Sequence, residues 1–331
     1  VVQLTWRNGL DESEAAEVTA LLSEAADADG VAPAGEHVLL RLQAHRGVVE
    51  QIEPVQADVG GSEHFVVRGT DGALVGYAHL DTAGETSGDA LVAELAVHPQ
   101  HRRRGIGATL IEALLERAEL PADPDARSRD TEDEPAGAAS ARLLIWSHGQ
   151  HPGALRLAER FGFARSRELW RMGRELAGAE LPQESLADGV SIRAFRVGQD
   201  EAAVVRVNHR AFRWHPEQGD MTERDLRDKQ QQDWFDPAGF LLAVDDSDEL
   251  LGFHWTKIHP DGTGEVYVVG VDPAARGSGL GRSLTAAGLR HLQEAGCRQV
   301  MLYVEGDNGP AISVYERLGF QRWDSDVQFG R

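Results

Sequence analysis

The chain runs to 331 residues, 41% of them hydrophobic, which is enough for two domains that each bury a core. Its 33 Lys and Arg stand against 54 Asp and Glu, and the resulting charge of −21 repels nucleic-acid backbones and anionic membranes while suiting an amine-bearing partner. The single Cys297 excludes an intrachain disulfide framework, no apolar run reaches the roughly 18 residues of a membrane span, and VVQLTWRNGLDESE at the start is not a basic stretch followed by an apolar one, so a soluble cytoplasmic protein is expected.

In chain order, HFVVRGTDGALVGYAHL (64–80) is a pair of apolar runs around a turn and predicts a β-hairpin. Residues 91–118 begin as an apolar strand, pass through HPQHRRRGIG and continue with helical period. The segment 121–140, PADPDARSRDTEDEPAGAAS, cannot bury enough apolar surface to order itself, so a disordered acidic surface insertion without assigned function is expected. A strand at 141–147 leads into SHGQHPG, where His148 and His151 lack nearby Cys or acid ligands; they read as loop polarity, and no metal is expected. AERFGF follows at 158–163. Pro, Gly and polar residues over 176–189 read as a linker, which predicts domains at 1–178 and 190–331 on either side of 179–189.

Beyond it, a helix begun near Gln199 continues through NHRAF, HPEQG (215–219) breaks it, and a further helix starts behind a Thr222 cap. GFLLAVDDSDELLGFHWTKI (239–258) predicts a second hairpin, and 265–292 repeats the strand, turn and helix. Cys297 has no matched His base and reads as a buried thiol. A strand at 299–305 and YERLGF at 315–320 complete the pattern.

The chain is therefore written twice. Aligning Pro99 on Pro273 places Arg102 on Arg276, Gly105 on Gly279 and Gly107 on Gly281. The turns are offset by 174 residues and the Gly-Phe pairs by 157, so the first copy carries 17 extra residues, and these fall in 121–140. Each turn has the form Arg-x-x-Gly-x-Gly between a strand and a helix. Glycines let the backbone approach a ligand, and the first N–H groups of the helix aim at an anion, for which a diphosphate is a good fit. Gly277, Gly279 and Gly281 alternate, unlike a Rossmann fingerprint, and neither copy has the lysine of a P-loop.

The C-terminal copy, with Val269, Val271, Arg276, Gly279, Gly281, Asn308, Ala311, Tyr315, Gly319 and Phe320, resembles the Gcn5-related N-acetyltransferase superfamily. The resemblance implies an α/β (α+β) class: two tandem acetyltransferase domains, each a mixed, mostly antiparallel sheet splayed at the acetyl-CoA site and flanked by helices. It implies contacts to acetyl-CoA, as co-substrate, from Val269, Gly270 and Val271, from Arg276, Gly277, Ser278, Gly279, Leu280, Gly281 and Arg282, and from Asn308 and Ser313. In the first copy the corresponding residues are Leu95, Ala96 and Val97, then Arg103, Arg104, Gly105, Ile106, Gly107 and Ala108.

Acetyl transfer from a thioester needs a neutral amine, and the departing thiolate benefits from a proton. Glu265, opening the strand before the turn, is the candidate base, directly or through water; Tyr315, on the helix after the next strand, is the candidate acid. Leu91 and Ala158 stand opposite them in the first copy, which therefore lacks both groups. That copy either holds acetyl-CoA without turning it over or is an empty relic that supports the second.

Further stretches, among them DGVAPAGEHVL (29–39), WFDPAG (234–239) and LLGFHWTKIHP (250–260), are similar to tandem members of the superfamily that acetylate the cysteinyl amine of a cysteine–glucosamine–inositol conjugate. This implies acceptor contacts at Glu36, Glu217, Lys257, Glu265 and Tyr303, with carboxylates suited to an ammonium and hydroxyls, and a lysine to oxygen acceptors. Two alternatives stay open: an acetyltransferase for another amine (an aminoglycoside, a polyamine or a protein N-terminus) and a non-enzymatic acetyl-CoA sensor. A monomer with small-molecule partners, and no nucleic acid or membrane, is the expectation.

Overall fold

The computed structural model describes residues 3–45, 61–82, 90–119, 142–213, 219 and 221–331, apart from the side chains at 36, 40 and 43–45. The insertion expected at 121–140 lies outside the described residues, as does Glu217. Two compact units emerge: Val1–Glu168 with Ser325–Arg331, and Leu169–Asp324. In chain order the elements are β1 (Gln3–Arg7), α1 (Glu12–Asp29), α2 (Glu36–His45), β2 (Ser62–Arg68), β3 (Leu74–Asp81), β4 (Ala90–Val97), α3 (Ile106–Glu119), β5 (Arg142–Ser147), α4 (Pro152–Arg160) and β6 (Ala164–Glu175). There follow β7 (Ser191–Ala194), α5 (Glu201–Ala211), α6 (Glu223–Gln230), β8 (Phe240–Val244), β9 (Leu250–Ile258), β10 (Gly264–Val271), α7 (Leu280–Glu294), β11 (Gln299–Glu305), α8 (Gly309–Arg317) and β12 (Gln321–Gly330).

In the first unit β1, β2, β3 and β4 pair antiparallel in that order, and β4 runs parallel to β5. Helix α1 starts at a capping box of Asp11 and Glu14 and ends at Gly30, whose φ of 70° suits a residue without Cβ. Its buried Ala15, Val18, Leu21, Leu22 and Ala25 fall at helical spacing and face Val66, Leu74 and Tyr77 of the sheet. On the other side α3 lays Leu110, Ile111 and Leu114 on Phe65, Val67, Ala93 and Leu143. The sheet is closed by the end of β12, Val327–Gly330, antiparallel to β5.

The second unit repeats this arrangement. β7, β8, β9 and β10 pair antiparallel in order, β10 meets β11 in parallel, and Leu169–Glu175 of β6 closes the sheet against β11. The Thr222 cap is a full capping box with Asp225. Among the described residues no helix is long and apolar enough to cross a membrane.

The units divide within strands, at 168/169 in β6 and at 324/325 in β12, and not at the stretch 179–189 read as a linker. That stretch belongs to the second unit, where it is tied along α7. Ser283 donates to the Ser185 carbonyl and accepts from its N–H, Arg290 pairs with Glu184, and Gln293 donates to the Ala179 carbonyl. Pro, Gly and polar content marks a segment without its own secondary structure, but such a segment can still be held by side chains of a neighbouring helix.

Candidate active site

In the second unit only Gly264 and Glu265 of β10 pair with β11, against Val300 and Met301. Beyond them the two strands part, which leaves the edge of Val269, Gly270 and Val271 on that side without a strand, while their other edge stays paired to His254, Phe253 and Gly252 of β9. At the far end of β10, Asp272 accepts from the Ala274 N–H and starts the turn. Gly277 (φ 83°) and Gly279 (φ 81°) lie in the left-handed region that disfavours a side chain. Helix α7 then begins at Leu280, and the N–H groups of its first turn have no acceptor within the helix. Arg276, Gly277, Ser278, Gly279 and Arg282 are exposed. Strand gap and helix start together suit a long chain ending in a diphosphate.

Glu265 sits where the strands part, 6% exposed, with Oε2 at 2.8 Å from His259 Nε2. Its cross-strand partner is Lys257, also buried, whose Nζ lies 4.7 Å from the ring centre of Trp234 and 5.3 Å from that of Tyr267. Lys229 Nζ donates to the Tyr267 hydroxyl at 2.7 Å. Tyr303, on β11, is 44% exposed and registered against Arg171 of β6. Tyr315 lies on α8 with its ring 5.8 Å from Phe320, and burial pushes its phenol up to about 12. It therefore stays protonated at neutral pH. Ser313 is half-buried on the same helix, and Asn308 is its cap, accepting from the Ala311 N–H at 3.3 Å. Cys297 is buried, as expected.

The turn arginines brace the turn. Arg276 Nη2 donates to the carbonyl of Ala211, where α5 ends, at 3.1 Å. Arg102 does the same in the first unit, gripping Asp29 at the end of α1 through two bonds of 2.6 and 2.8 Å. With these arginines engaged by the protein, backbone N–H groups are what both turns have in common to offer an anion.

In the first unit β4 and β5 pair from Ala90 to Ala93 and then part. A cavity of about 730 Å³ opens there. Leu95, Ala96, Val97, Arg103, Gly105, Ile106, Gly107 and Ala108 line it, and Arg104 does not. Arg103, Arg104 and Gly105 are exposed. Glu36 opens α2 in this unit.

His148 corrects the expectation of loop polarity. It is half-buried between two buried carboxylates, with Nδ1 at 2.9 Å from Asp326 and Nε2 at 3.7 Å from Glu94. Burial disfavours the imidazolium, but hydrogen bonds and charge from Asp326 and Glu94 outweigh it and push His148 up to about 10. Burial likewise opposes the Glu94 charge, yet His148, His37 and the Gly35 N–H at 2.6 Å hold that carboxyl below its usual range. Asp326 is 178 residues from His148, so nothing near SHGQHPG could have disclosed it. His37, His79 and Asp81 place ligand atoms within 4.8 Å of one another. Arg41 stands 2.6 Å from Asp81 and 3.4 Å from His79 Nε2, so the cation these groups face is a guanidinium.

Replacing His148 by glutamine leaves two buried carboxylates without their cation and is expected to destabilise the first unit by about 3–5 kcal/mol at neutral pH. Because the folded value of about 10 exceeds the unfolded 6.5, the stabilisation is complete below about pH 6.5 and is lost as pH rises towards 10. Denaturant unfolding of both proteins from pH 7 to pH 10 checks this: the difference between them should shrink.

The model of the Acetyltransferase (GNAT) family matches residues 40–122 and 205–320. The chain is 70% identical to a mycothiol acetyltransferase of Saccharopolyspora erythraea over 312 residues, covering 94% of this chain and 100% of that protein. It is 52% identical to another from Actinosynnema mirum, covering 99% of each. Among solved structures it is similar to a tandem GNAT protein from the clavulanic acid biosynthesis pathway, with a TM-score of 0.70, 20% identity and coverage of 100% of this chain and 98% of that one. A GCN5-related N-acetyltransferase from Sphaerobacter thermophilus gives a TM-score of 0.68 at 22% identity, covering 99% and 95%.

Proposed function

We infer the reaction from one premise, that this chain belongs to the mycothiol acetyltransferases of the acetyltransferase (GNAT) family: it moves the acetyl group of acetyl-CoA to the cysteinyl amine of a cysteine–glucosamine–inositol conjugate and so forms mycothiol. The site we assign to this reaction is in the second unit. The observation that carries it is the buried Glu265 at the parting of β10 and β11, on the strand that leads to a glycine turn and helix start.

In this reading Glu265 takes a proton from the acceptor ammonium, and the freed lone pair forms the new C–N bond at the thioester carbonyl. The C–S bond breaks, the Tyr315 hydroxyl supplies the proton to the leaving sulfur, and the second proton lost by the amine nitrogen restores that hydroxyl. Lys257, held over two aromatic faces, is a rigid donor for an acceptor oxygen. Glu36, Glu217 and Tyr303 complete the acceptor contacts we propose. Residues 269–271 and 276–282, with Asn308 and Ser313, hold acetyl-CoA. We read the enzyme as a cytoplasmic monomer without nucleic-acid or membrane partners, and its charge of −21 supports the second part.

The first unit, in our reading, binds a second acetyl-CoA and does not turn it over. Its cavity and turn support binding; Leu91 and Ala158, where the base and acid would stand, support silence. Native mass measurement should find two acetyl-CoA per chain, and one would leave that cavity without its ligand. A panel of amines with acetyl-CoA, followed by mass spectrometry of acetylated products, tests the acceptor. Preference for the cysteine–glucosamine–inositol conjugate is expected; equal turnover of polyamines or aminoglycosides would refute the specific claim, and no turnover at all would leave a sensor.

A further inference from the structure

His259 follows β9 in the turn of the hairpin that carries Glu265. Its N–H donates to the Thr263 carbonyl and its carbonyl accepts from Gly262 N–H, both at 2.9 Å, while Asp261 accepts from Thr263 N–H at 2.9 Å. Gly262, at a φ of 82°, lets the chain reverse. The turn is thereby pinned, and it aims the imidazole back at the first residues of β10, where Nε2 meets Glu265 Oε2 at 2.8 Å. An ionised carboxylate only accepts hydrogen bonds, so Nε2 carries the proton and donates it. Oε2 is then committed to His259, and Oε1 is the oxygen left for the acceptor.

We propose that His259 is a positioning residue for the base: it pins the Glu265 carboxylate with Oε1 turned to the acceptor amine. The inference rests on the reading of Glu265 as the base. In the step, the ammonium proton passes to Oε1 and the amine nitrogen bonds to the acetyl carbon. The C–S bond then breaks as the sulfur takes the Tyr315 proton, and the second proton shed by the amine nitrogen restores the Tyr315 hydroxyl. The proton on His259 Nε2 stays in place, and Glu265 gives up its own to water after turnover.

Other groups surround Glu265. Lys257 faces it from β9, Asp261 stands in the same turn, and β11 brings Met301 opposite and Tyr303 further along. Lys229 of α6 is held at the Tyr267 hydroxyl. Among these, His259 is the donor at hydrogen-bond distance from Oε2. Losing that bond lets the carboxylate turn away from the amine, which costs rate at the chemical step and leaves the other acceptor contacts in place.

The test is kcat and KM, with acetyl-CoA and the cysteine–glucosamine–inositol conjugate, for the unchanged enzyme, His259→Ala, His259→Gln and Glu265→Gln. His259→Ala should lower kcat by about 10–100-fold, the worth of a hydrogen bond to a charged group. It should leave the acceptor KM near its original value. His259→Gln keeps an N–H donor and should recover most of kcat, which also guards against a mere folding defect. An acceptor KM that rises as far as kcat falls, or no rescue by glutamine, would overturn the proposal. Near-normal turnover by Glu265→Gln would instead overturn the base assignment, whatever the His259 variants do.

Discussion

Tyr315→Phe is expected to lower kcat by about 10²–10⁴-fold, the range for loss of a positioned proton donor. The change removes one oxygen and keeps the ring against Phe320, so folding and acetyl-CoA binding should persist. The size of the effect follows from where the phenol sits. Burial pushes it up to about 12, so at neutral pH it stays protonated, and in the reaction we propose the sulfur would otherwise leave as an anion. Phenylalanine offers that sulfur nothing. Gly105→Ala and Gly107→Ala are the contrast. Alanine strains the φ of 90° at Gly105, and at Gly107 its Cβ would come 2.9 Å from the movable end of Leu157. Both changes fall in the unit without base or acid, so turnover per folded chain should stay mostly intact. Steady-state rates on proteins of matched thermal stability decide this, and equal losses in all three would refute the division of labour.

A fragment beginning at residue 190 is expected to be insoluble, whereas one spanning 169–324 should fold. The reason is in β6. Leu169–Glu175 pair with β11 over its whole length, from Glu305 to Gln299, and cutting them away bares a central strand as an edge. Met172 (1% exposed) and Leu176 (fully buried) leave with them, at about 1.5–3 kcal/mol of burial each. Their neighbours Leu302 and Phe320 would face water. Soluble yield and circular dichroism of the two fragments give the answer, and a well-folded 190–331 would disprove it.

Much of the architecture could be read from residue order. Both hairpins, both glycine turns, the Thr222 cap and the pairing of one strand–turn–helix with another showed in local pattern, because each depends on neighbours within a few residues. The exchange of closing strands did not. A strand alternates in the same way whichever sheet it joins, and two copies of one arrangement offer two acceptable partners. Glu265 stood out because its counterpart, Leu91, is apolar. His259 was within reach: HPDGTGE contains an Asp-Gly turn that brings positions 259 and 265 side by side across a hairpin. The His148 ion cluster was beyond reach, since Asp326 arrives from the opposite end of the chain.

The exchanged strand also sets an order of events in the making of the protein. Ribosomes release a chain from its N-terminus, and domains generally fold as they emerge. Here Ser325–Arg331, which emerge only after the whole of the second unit, supply the closing strand of the first unit, with Phe329 for its core and Asp326 for His148. The unit synthesised first is thus the one completed last. Contacts between residues so far apart in sequence are slow to form, and until Val327–Gly330 have emerged β5 waits with an open edge.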